Sequence, residues 1–405
     1  MQSIQKIYKI GPGPSSSHTF GPMKACEYIL NKVPQANRFV VTLYGSLALT
    51  GKGHLTDRII ERTLYPFPCE IKMDLKKECS HPNTMIIEAY QEETFLESHT
   101  FVSIGGGQIE IDNQPVKASK EVYPHNTLDE IQSYCKEKHL RLDEYIDKYD
   151  FENMEDYMDS IFEAMIQCVK AGLNQTGVLP GSLKLERVAK ALYNSALQCE
   201  DQNDQYSLLL SSYAYAASEQ NAGGGTVVTA PTMGSCGVLP SLLYHFYFDR
   251  HMDKRKLIQA LKVAGLIGNL IQTNATISGA KAGCQAEVGA ACSMGAAFVA
   301  FMQDQSNEQI ECAAEIGLEH HLGLTCDPVG GYVMIPCIER NAVASQRCID
   351  AARLAKYLRN VKKNRVSFDM VVKTMNLTGI KLPIELKESA LGGLAIVVPN
   401  KPENE

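Results

Sequence analysis

The run TFVSIGGG at residues 100–107 is the last of four short apolar segments that decide how the chain begins to fold. The earlier three are FVVTLYG (39–45), CEIKMDL (69–75) and TMIIEAY (84–90), and Gly, Pro, Asn and Asp separate them. Segments of this length between turn-forming residues are typical of β-strands. One helical pattern, PMKACEYILNKV, precedes them. Residues 1–115 therefore predict a small N-terminal α+β domain.

Further along the chain, the spacing of apolar residues becomes that of helices. Residues 116–150 are strongly charged, with apolar residues spaced as on solvent-facing helices, so we predict a helical linker there. From residue 151 to 400, helical patterns alternate with Gly-rich breaks. The patterns are MDSIFEAMIQCVKAGL (158–173), LERVAKALYNSALQ (185–198), YSLLLSSYAYAASEQ (206–220), RKLIQALKVAGLIGNLIQ (255–272) and VASQRCIDAARLAKYL (343–358). The predicted fold class is α+β, with a mostly α-helical C-terminal domain.

Composition excludes several classes of function. The net charge of −7 gives no electrostatic attraction to nucleic acid or to an anionic membrane. The N-terminal residues lack the apolar core of a signal peptide, and the longest apolar stretch, about Val288–Met302, is too short and too rich in Gly and Ala to span a bilayer. The 13 cysteines then indicate reduced thiols. We expect a cytoplasmic protein with no nucleic-acid or membrane partner, and a homodimer, the commonest assembly.

A first candidate for chemistry is GPGPSSSHTFGPMKA, residues 11–25. Here Ser15, Ser16, Ser17 and Thr19 surround His18 just before a helical pattern. Hydroxyls and backbone N–H groups at a helix start form a seat for a small anion such as a carboxylate. The alternative is that Ser17 or Thr19 simply caps the helix. Three hydroxyls beside an imidazole favour the anion seat.

Two further segments have glycine-rich turns. In GSLALTGKGHLTD (45–57), His54 lies in a glycine-bounded turn, where an imidazole can act as a general base near neutral pH; a surface histidine is the alternative. In SEQNAGGGTVVTAPTMGSCGVLP, a predicted helix ends at Asn221, and Gly223 and Gly224 let the backbone approach a ligand closely. A plain C-cap and loop is the alternative, and the glycines do not match the dinucleotide-binding pattern.

Cysteines in the helical part form the fourth candidate. Cys326 and Cys337 bracket a Pro/Gly-rich loop, and Cys284 and Cys292 lie upstream. Thiolates from such separated positions can converge on a metal centre. The spacing lacks the tight C-x-x-C pairs of structural zinc sites. Buried cysteines that act as small apolar side chains are the alternative, and periodicity does not choose between Cys284 and Cys292.

Together with ISGAKAGCQAEVGAACSMG and CDPVGGYVMIPCIERNA, the segments GPGPSSSHTFGPMKA, GKGHLTD and SEQNAGGGTVVTAPT resemble the signature segments of the oxygen-sensitive iron–sulfur L-serine dehydratases (L-serine ammonia-lyases). The five occur in the family's order between residues 11 and 342. The resemblance implies fused β-type and α-type domains, the second being catalytic. It implies a lyase of amino-acid catabolism and gluconeogenesis that converts L-serine into pyruvate and ammonia without pyridoxal phosphate.

The resemblance also implies a cofactor. A [4Fe–4S] cluster would be held by Cys284, Cys326 and Cys337, with Cys292 a packed neighbour. Three protein thiolates leave one iron with an exchangeable position, which can act as a Lewis acid on the serine hydroxyl.

The roles of the other residues follow from the same resemblance. His54 matches the position of the base that removes the Cα proton, and the Ser15–Thr19 segment, with His18, matches the segment that meets the substrate carboxylate. Asn221 and the glycines after it would line the opposite wall, between the domains. Arg340 suits either the substrate carboxylate or an intramolecular ion pair.

The sequence departs from the family pattern at two places. Some relatives end in a cysteine that binds the open iron, whereas the last cysteine here is Cys348. Residues 116–150 leave no room for the regulatory domain of longer relatives. Two alternatives stay open: the same chemistry on L-threonine or L-cysteine, and a non-catalytic metal-binding sensor with four protein ligands.

Overall fold

The structure, a computed structural model, describes residues 1–112, 114–115, 121–358, 361 and 364–399. Residues 116–120, where the predicted linker begins, and residue 400, where the predicted C-terminal domain ends, lie outside the described residues. The domain boundaries at 115, 150 and 400 stay a prediction.

The described residues form strands and helices in the following order. The strands are β1 (Ile10–Pro12), β2 (Arg38–Tyr44), β3 (Cys69–Asp74), β4 (Thr84–Gln91), β5 (Thr94–Gly105), β6 (Gln108–Ile111), β7 (Gln114–Pro115) and β8 (Thr226–Val228). The α-helices are α1 (Gly21–Lys32), α2 (Gly45–Thr50), α3 (Thr56–Leu64), α4 (Leu128–Lys138), α5 (Leu142–Tyr149), α6 (Met154–Asn174), α7 (Ala189–Gln198), α8 (Gln202–Ala222), α9 (Val238–Tyr244), α10 (Lys254–Asn274), α11 (Gly279–Ala282), α12 (Ala290–Met302), α13 (Asn307–Glu319), α14 (Cys337–Leu358), α15 (Phe368–Lys381) and α16 (Leu394–Val397).

A six-stranded sheet organises the N-terminal part, with strand order β3-β2-β4-β5-β6-β7. Strands β2 and β3 are parallel, and the other neighbours are antiparallel. Val41 and Leu43 of β2 pack with Ile29 of α1 and Ile60 of α3 in one apolar core. All four side chains are fully buried, so their removal from water stabilises the sheet against its helices. The predicted α+β class is confirmed.

Helix α12 lies at the centre of the helical part and packs against α10, α13 and α14. All 13 of its residues are buried. Gly295 allows the closest approach, because a Cβ there would lie 2.4 Å from the Sγ of Cys348 on α14. Of the described helices, the continuous stretch Gln285–Met302 is long and apolar enough to cross a membrane, but 94% of it is buried inside the protein. It is a core helix.

The predicted helical patterns lie in α6, α7, α8, α10 and α14, with one difference. The pattern LERVAKALYNSALQ predicts a helix from Leu185, whereas α7 begins at Ala189. The preceding residues are extended, because Leu185 accepts a backbone hydrogen bond from Leu179 and Arg187 donates one to Gly177. These bonds replace the ones that the first helical turn would have made.

Helices α4 and α5 lie in the stretch that follows the sheet. Their apolar residues Leu128, Ile131, Tyr145 and Ile146 are fully buried and belong to the main core of the helical part. The charged residues of these two helices are exposed, apart from the buried Asp143, so the helices are amphipathic. This stretch packs onto the helical part instead of standing apart from it.

The first residues of the chain also belong to the helical part. Strand β1 pairs with β8, with Ile10 opposite Val228, and the hydroxyl of Tyr8 donates a 2.7 Å hydrogen bond to the carbonyl of Leu261 on α10. The chain then passes through residues 11–20 into α1, which packs on the sheet. The serine-rich segment is therefore the crossing point between the two parts.

Candidate active site

The serine-rich segment forms one π-helical turn that runs directly into α1. The hydroxyl of Ser15 caps this turn by accepting the backbone N–H three residues later at 3.1 Å. Ser16 Oγ accepts the N–H of Met233 at 2.8 Å, and Thr19 Oγ1 donates to the carbonyl of His54 at 2.7 Å. The hydroxyls of Ser16 and Thr19 thus hold the segment against both parts of the protein, and the residue that caps the turn is Ser15.

His18 is fully buried and has a partner at each ring nitrogen. Its Nε2 lies 3.0 Å from Ser46 Oγ, and Ser46 donates its single hydroxyl proton to the carbonyl of Glu388 at 3.0 Å. Nε2 must therefore carry the ring proton and donate to Ser46, which leaves Nδ1 to accept from Ser17 Oγ at 3.0 Å. Burial lowers the pKa of His18 well below its usual value, so the ring stays neutral.

His54 stacks on His18, with ring centroids 4.3 Å apart. Its Nδ1 lies 3.0 Å from the carbonyl oxygen of Thr50, which can only accept, so Nδ1 carries the proton. Nε2 is then an unprotonated acceptor. Burial lowers the pKa of His54 to about 4, which keeps this lone pair available at neutral pH.

Glu388 completes this group from a distant part of the chain. Its Oε1 lies 3.4 Å from Ser17 Oγ, 3.6 Å from His18 Nδ1 and 3.9 Å from His54 Nε2, and its side chain is only 8% exposed. Burial raises the pKa of this carboxyl well above its usual value. The backbone N–H of Glu388 donates to the carbonyl of Cys326 at 2.7 Å, so the imidazole pair adjoins the cysteine cluster.

The predicted metal ligands Cys284 and Cys326 lie together with Glu287, all ligand atoms being within 4.8 Å of one another. Glu287 Oε2 lies 3.8 Å from the Sγ of Cys326 and 4.0 Å from that of Cys284, and Oε1 accepts from Thr232 Oγ1 at 2.8 Å. The hydrogen bond with Cys284, followed by burial, raises the pKa of the Cys326 thiol. Two soft ligands and a carboxylate thus share one buried position.

The third predicted ligand, Cys337, begins α14 and is 8% exposed. Burial and the negative charge of Cys284 raise the pKa of its thiol, so the two thiols interact electrostatically. Arg340 interacts with the same pair of sulfurs, donates to the carbonyl of Thr325 at 2.7 Å and lies 3.6 Å from Asp327 Oδ1. The guanidinium thus makes the intramolecular ion pair; a contact with substrate stays a prediction.

Cys292 has different neighbours from these three cysteines. Its Sγ lies 3.9 Å from that of Cys348 and 3.6 Å from the carbonyl of Ala344, in the crossing of α12 with α14. Hydrogen bonds from Cys348 and His321 lower the pKa of its thiol to about 6. Cys292 therefore packs between α12 and α14, and its exclusion from the cluster ligands stays a prediction.

Asn221 ends the wall opposite the serine-rich segment. Its Nδ2 donates to the carbonyl of Pro14 at 2.8 Å, and its buried Oδ1 has no hydrogen-bond donor among the described residues. A Cβ on Gly13 would lie 2.3 Å from this oxygen, so only glycine allows the two segments to approach. Helix α8 extends one residue beyond the predicted end at Asn221.

A cavity of about 260 Å³ opens where the two segments meet. Thr19 lies on one side, and Gly223 and Gly224 lie on the other. Arg58 and Arg62 of α3 also line it. The two guanidinium groups create a positive potential at the junction, which favours entry of a small anion.

Comparison with known families identifies the chain. The model of the serine dehydratase alpha chain matches residues 81–395, and that of the serine dehydratase beta chain matches residues 3–67. The chain belongs to the serine dehydratase family. The predicted family is confirmed, and with it the expectation of an enzyme, since dehydratases are lyases.

Curated relatives in the serine dehydratase family match along nearly their whole length. L-serine dehydratase 1 of Escherichia coli (strain K12) is 38% identical over 454 residues, covering 98% of this chain and 99% of that protein. The L-serine dehydratase of Haemophilus influenzae (strain Rd) is 36% identical over 455 residues, with the same coverage. That of Helicobacter pylori (strain 26695) is 37% identical over 450 residues, covering 97% and 98%.

Three site residues of this serine dehydratase family member are missing from the sequence prediction. Glu287 follows Cys284 by three positions, and this spacing puts both on one helical face, which is a readable signal. Ser46 lies in the same quoted segment as His54, but nothing local links it to His18. Glu388 is one acidic residue in KESALGG, 371 positions from Ser17, and carries no local signal.

Proposed function

We propose that this chain is an L-serine dehydratase that converts L-serine into pyruvate and ammonia. Its family and the names of its relatives support this reaction. The observation that carries the proposal is the unprotonated Nε2 of His54, held beside the serine-rich segment and next to a group of buried cysteines. A base, an anion seat and metal ligands within one junction are what the elimination requires.

The donor set fits an iron–sulfur cluster. Cys284, Cys326 and Cys337 are buried thiols, and the proximity of Cys284 raises the pKa of the other two; bound iron would replace the thiol protons and relieve this repulsion. We propose that they hold a [4Fe–4S] cluster and that the enzyme works without pyridoxal phosphate. When bound, such a cluster supplies a Lewis-acidic iron that makes the serine hydroxyl a better leaving group.

His54 would act as the base in this reaction. Its Nδ1–H bond to the Thr50 carbonyl fixes the tautomer and points Nε2 into the site, where it accepts the Cα proton of serine. The serine-rich turn would hold the substrate carboxylate. Burial of these groups excludes water and strengthens their interactions with the charged substrate.

The overall reaction balances without an oxidant. Serine loses its Cα proton and its β-hydroxyl as water, leaving aminoacrylate. This enamine tautomerises to the imine, which water hydrolyses to pyruvate and ammonium. The residues of the site thus need to move one proton and hold one small zwitterion.

The experiment is to purify the protein without air, measure iron, sulfide and zinc, and assay pyruvate release from L-serine before and after exposure to oxygen. A brown protein that makes pyruvate and loses activity in air supports the proposal. A colourless, zinc-containing, inactive protein contradicts it. Parallel assays with L-threonine and L-cysteine measure the substrate preference, which one methyl group shifts by only about 1–3 kcal/mol.

We also propose a cytoplasmic homodimer, on the grounds of prevalence alone. Light scattering of the anaerobic protein measures the mass directly.

A further inference from the structure

A backbone hydrogen bond from Ala280 reaches the carboxyl group of Glu388, but the side-chain contacts of Oε1 are long. Ser17 Oγ is 3.4 Å away, but its one proton is needed by His18 Nδ1, which lies closer at 3.0 Å. Within the part of the chain that the structure describes, no Lys or Arg nitrogen comes within 4.0 Å of this carboxylate; its ion-pair contacts are with His18 and His54. The ionised form of this carboxyl group therefore has no permanently charged partner among the described residues.

The neighbouring acceptor, Nε2 of His54, also lacks a hydrogen-bond donor among the contacts described above. His54 Nε2 carries a lone pair, because the ring proton is on Nδ1, and it lies 3.9 Å from Glu388 Oε1. When Glu388 is ionised, two acceptors face each other in a buried site and repel unless a donor lies beside both. A ligand with a positive charge and N–H hydrogens would supply that donor.

We infer that Glu388 binds the α-ammonium group of the amino-acid substrate. This inference rests on the proposed function and deepens it. The ammonium nitrogen is bonded to the carbon whose proton His54 removes, so their protein partners must be neighbours. Contacts of about 3 Å from Oε1 to the nitrogen and from Nε2 to the Cα–H group fit an acceptor separation of 3.9 Å.

Glu287, another carboxylate of the junction, already contacts a hydroxyl and two cysteines. Its Oε1 accepts from Thr232, and its Oε2 lies against the sulfurs of Cys284 and Cys326. Glu388 is thus the carboxylate that would bind the substrate, and Glu287 is the one that contacts the cysteine cluster.

This arrangement selects α-amino acids over α-hydroxy acids. An ammonium group forms a charge-assisted hydrogen bond with Glu388, whereas a hydroxyl group leaves the buried carboxylate without its positive partner. L-Alanine and L-lactate form a matched pair of probes, because they differ only in this group and neither has the β-hydroxyl that leaves. Their binding is measured by anaerobic calorimetry, which needs no turnover.

For the wild-type holoenzyme, we expect L-alanine to bind at least ~30-fold more tightly than L-lactate. Glu388→Gln keeps the shape of the side chain and its backbone contacts, so it should retain the cluster spectrum and the iron content. It should weaken L-alanine binding and raise the KM for L-serine by at least ~30-fold, while L-lactate binding changes by less than about threefold. Glu388→Asp, which keeps the charge, should recover part of the loss. Glu385→Gln, an exposed glutamate of the same segment, is the matched control.

The inference is overturned if wild-type enzyme does not prefer L-alanine to L-lactate, or if Glu388→Gln weakens both equally. Failure of the proposed function gives a different result, namely no pyruvate from L-serine with the wild-type enzyme. Because the alanine and lactate comparison uses the unaltered protein, it gives an answer even if the Gln variant misfolds.

Discussion

Replacing His54 by Asn separates its proposed role as a base from its role in the structure. The Asn amide can still donate to the Thr50 carbonyl, as Nδ1 does at 3.0 Å, but it has no atom at the position of Nε2. The next acceptor, Glu388 Oε1, lies 3.9 Å from that position. Proton abstraction should therefore lose its positioned base while the surrounding contacts persist.

The expected loss follows from the usual contribution of a positioned general base. We expect kcat to fall about 10²–10⁴-fold, equivalent to roughly 3–5.5 kcal/mol of barrier. The KM for L-serine should change by less than about fivefold, because Nε2 contributes to the transition state rather than to ground-state binding. With serine deuterated at Cα, the residual rate should show a primary isotope effect, because proton removal has become rate-limiting.

The assay couples pyruvate to NADH oxidation under anaerobic conditions, with iron content and visible spectrum measured on the same sample. His320→Asn is the matched control, since the side chain of His320 is 67% exposed on a helix end. A His54→Asn enzyme with an intact cluster and a kcat within tenfold of wild type would refute the reasoning and point to another base.

Three more outcomes test other parts of the structure. Cys326→Ser should leave less than about half of the wild-type iron, whereas Cys199→Ser should keep it all, as iron analysis will show. Gly13→Ala places a Cβ 2.3 Å from Asn221 and should lower stability by about 1–3 kcal/mol, measured by thermal unfolding; an unchanged midpoint would contradict the close approach. Lys262, 1% exposed between two surface carboxylates, should tolerate Met within about 1 kcal/mol but lose about 2–4 kcal/mol as Ala in the same assay.

The sequence predicts the fold best where periodicity is strong. Strands β2 to β5 and helices such as α6 and α10 follow from apolar spacing, whereas the short strands β6 and β7 were not predicted. The start of α7 does not, because tertiary hydrogen bonds of Leu185 and Arg187 outcompete a locally acceptable helix. Whether α4 and α5 pack against the helical part depends on residues that are distant in the sequence, and the local apolar pattern carries no information about them.

In the candidate site too, the sequence predicts some residues and not others. Residues in dense local motifs, such as His18, His54 and Cys284, are predictable because their chemistry is concentrated in a few positions. Glu388 is not predictable, because its role depends on contacts with side chains that are distant in the sequence, such as Ser17, 371 positions earlier. Tautomers and hydrogen-bond directions, which make Nε2 of His54 the free acceptor, also require coordinates.

The pairing of Ser17 with Glu388 has a consequence for biosynthesis. The ribosome makes the serine loop and both imidazoles hundreds of residues before it makes the acidic residue that faces them. Loop closure over such a span is slow, so the pocket is among the last features to form. A nascent polypeptide that has not reached residue 388 therefore carries both imidazoles without the acidic side chain that faces them.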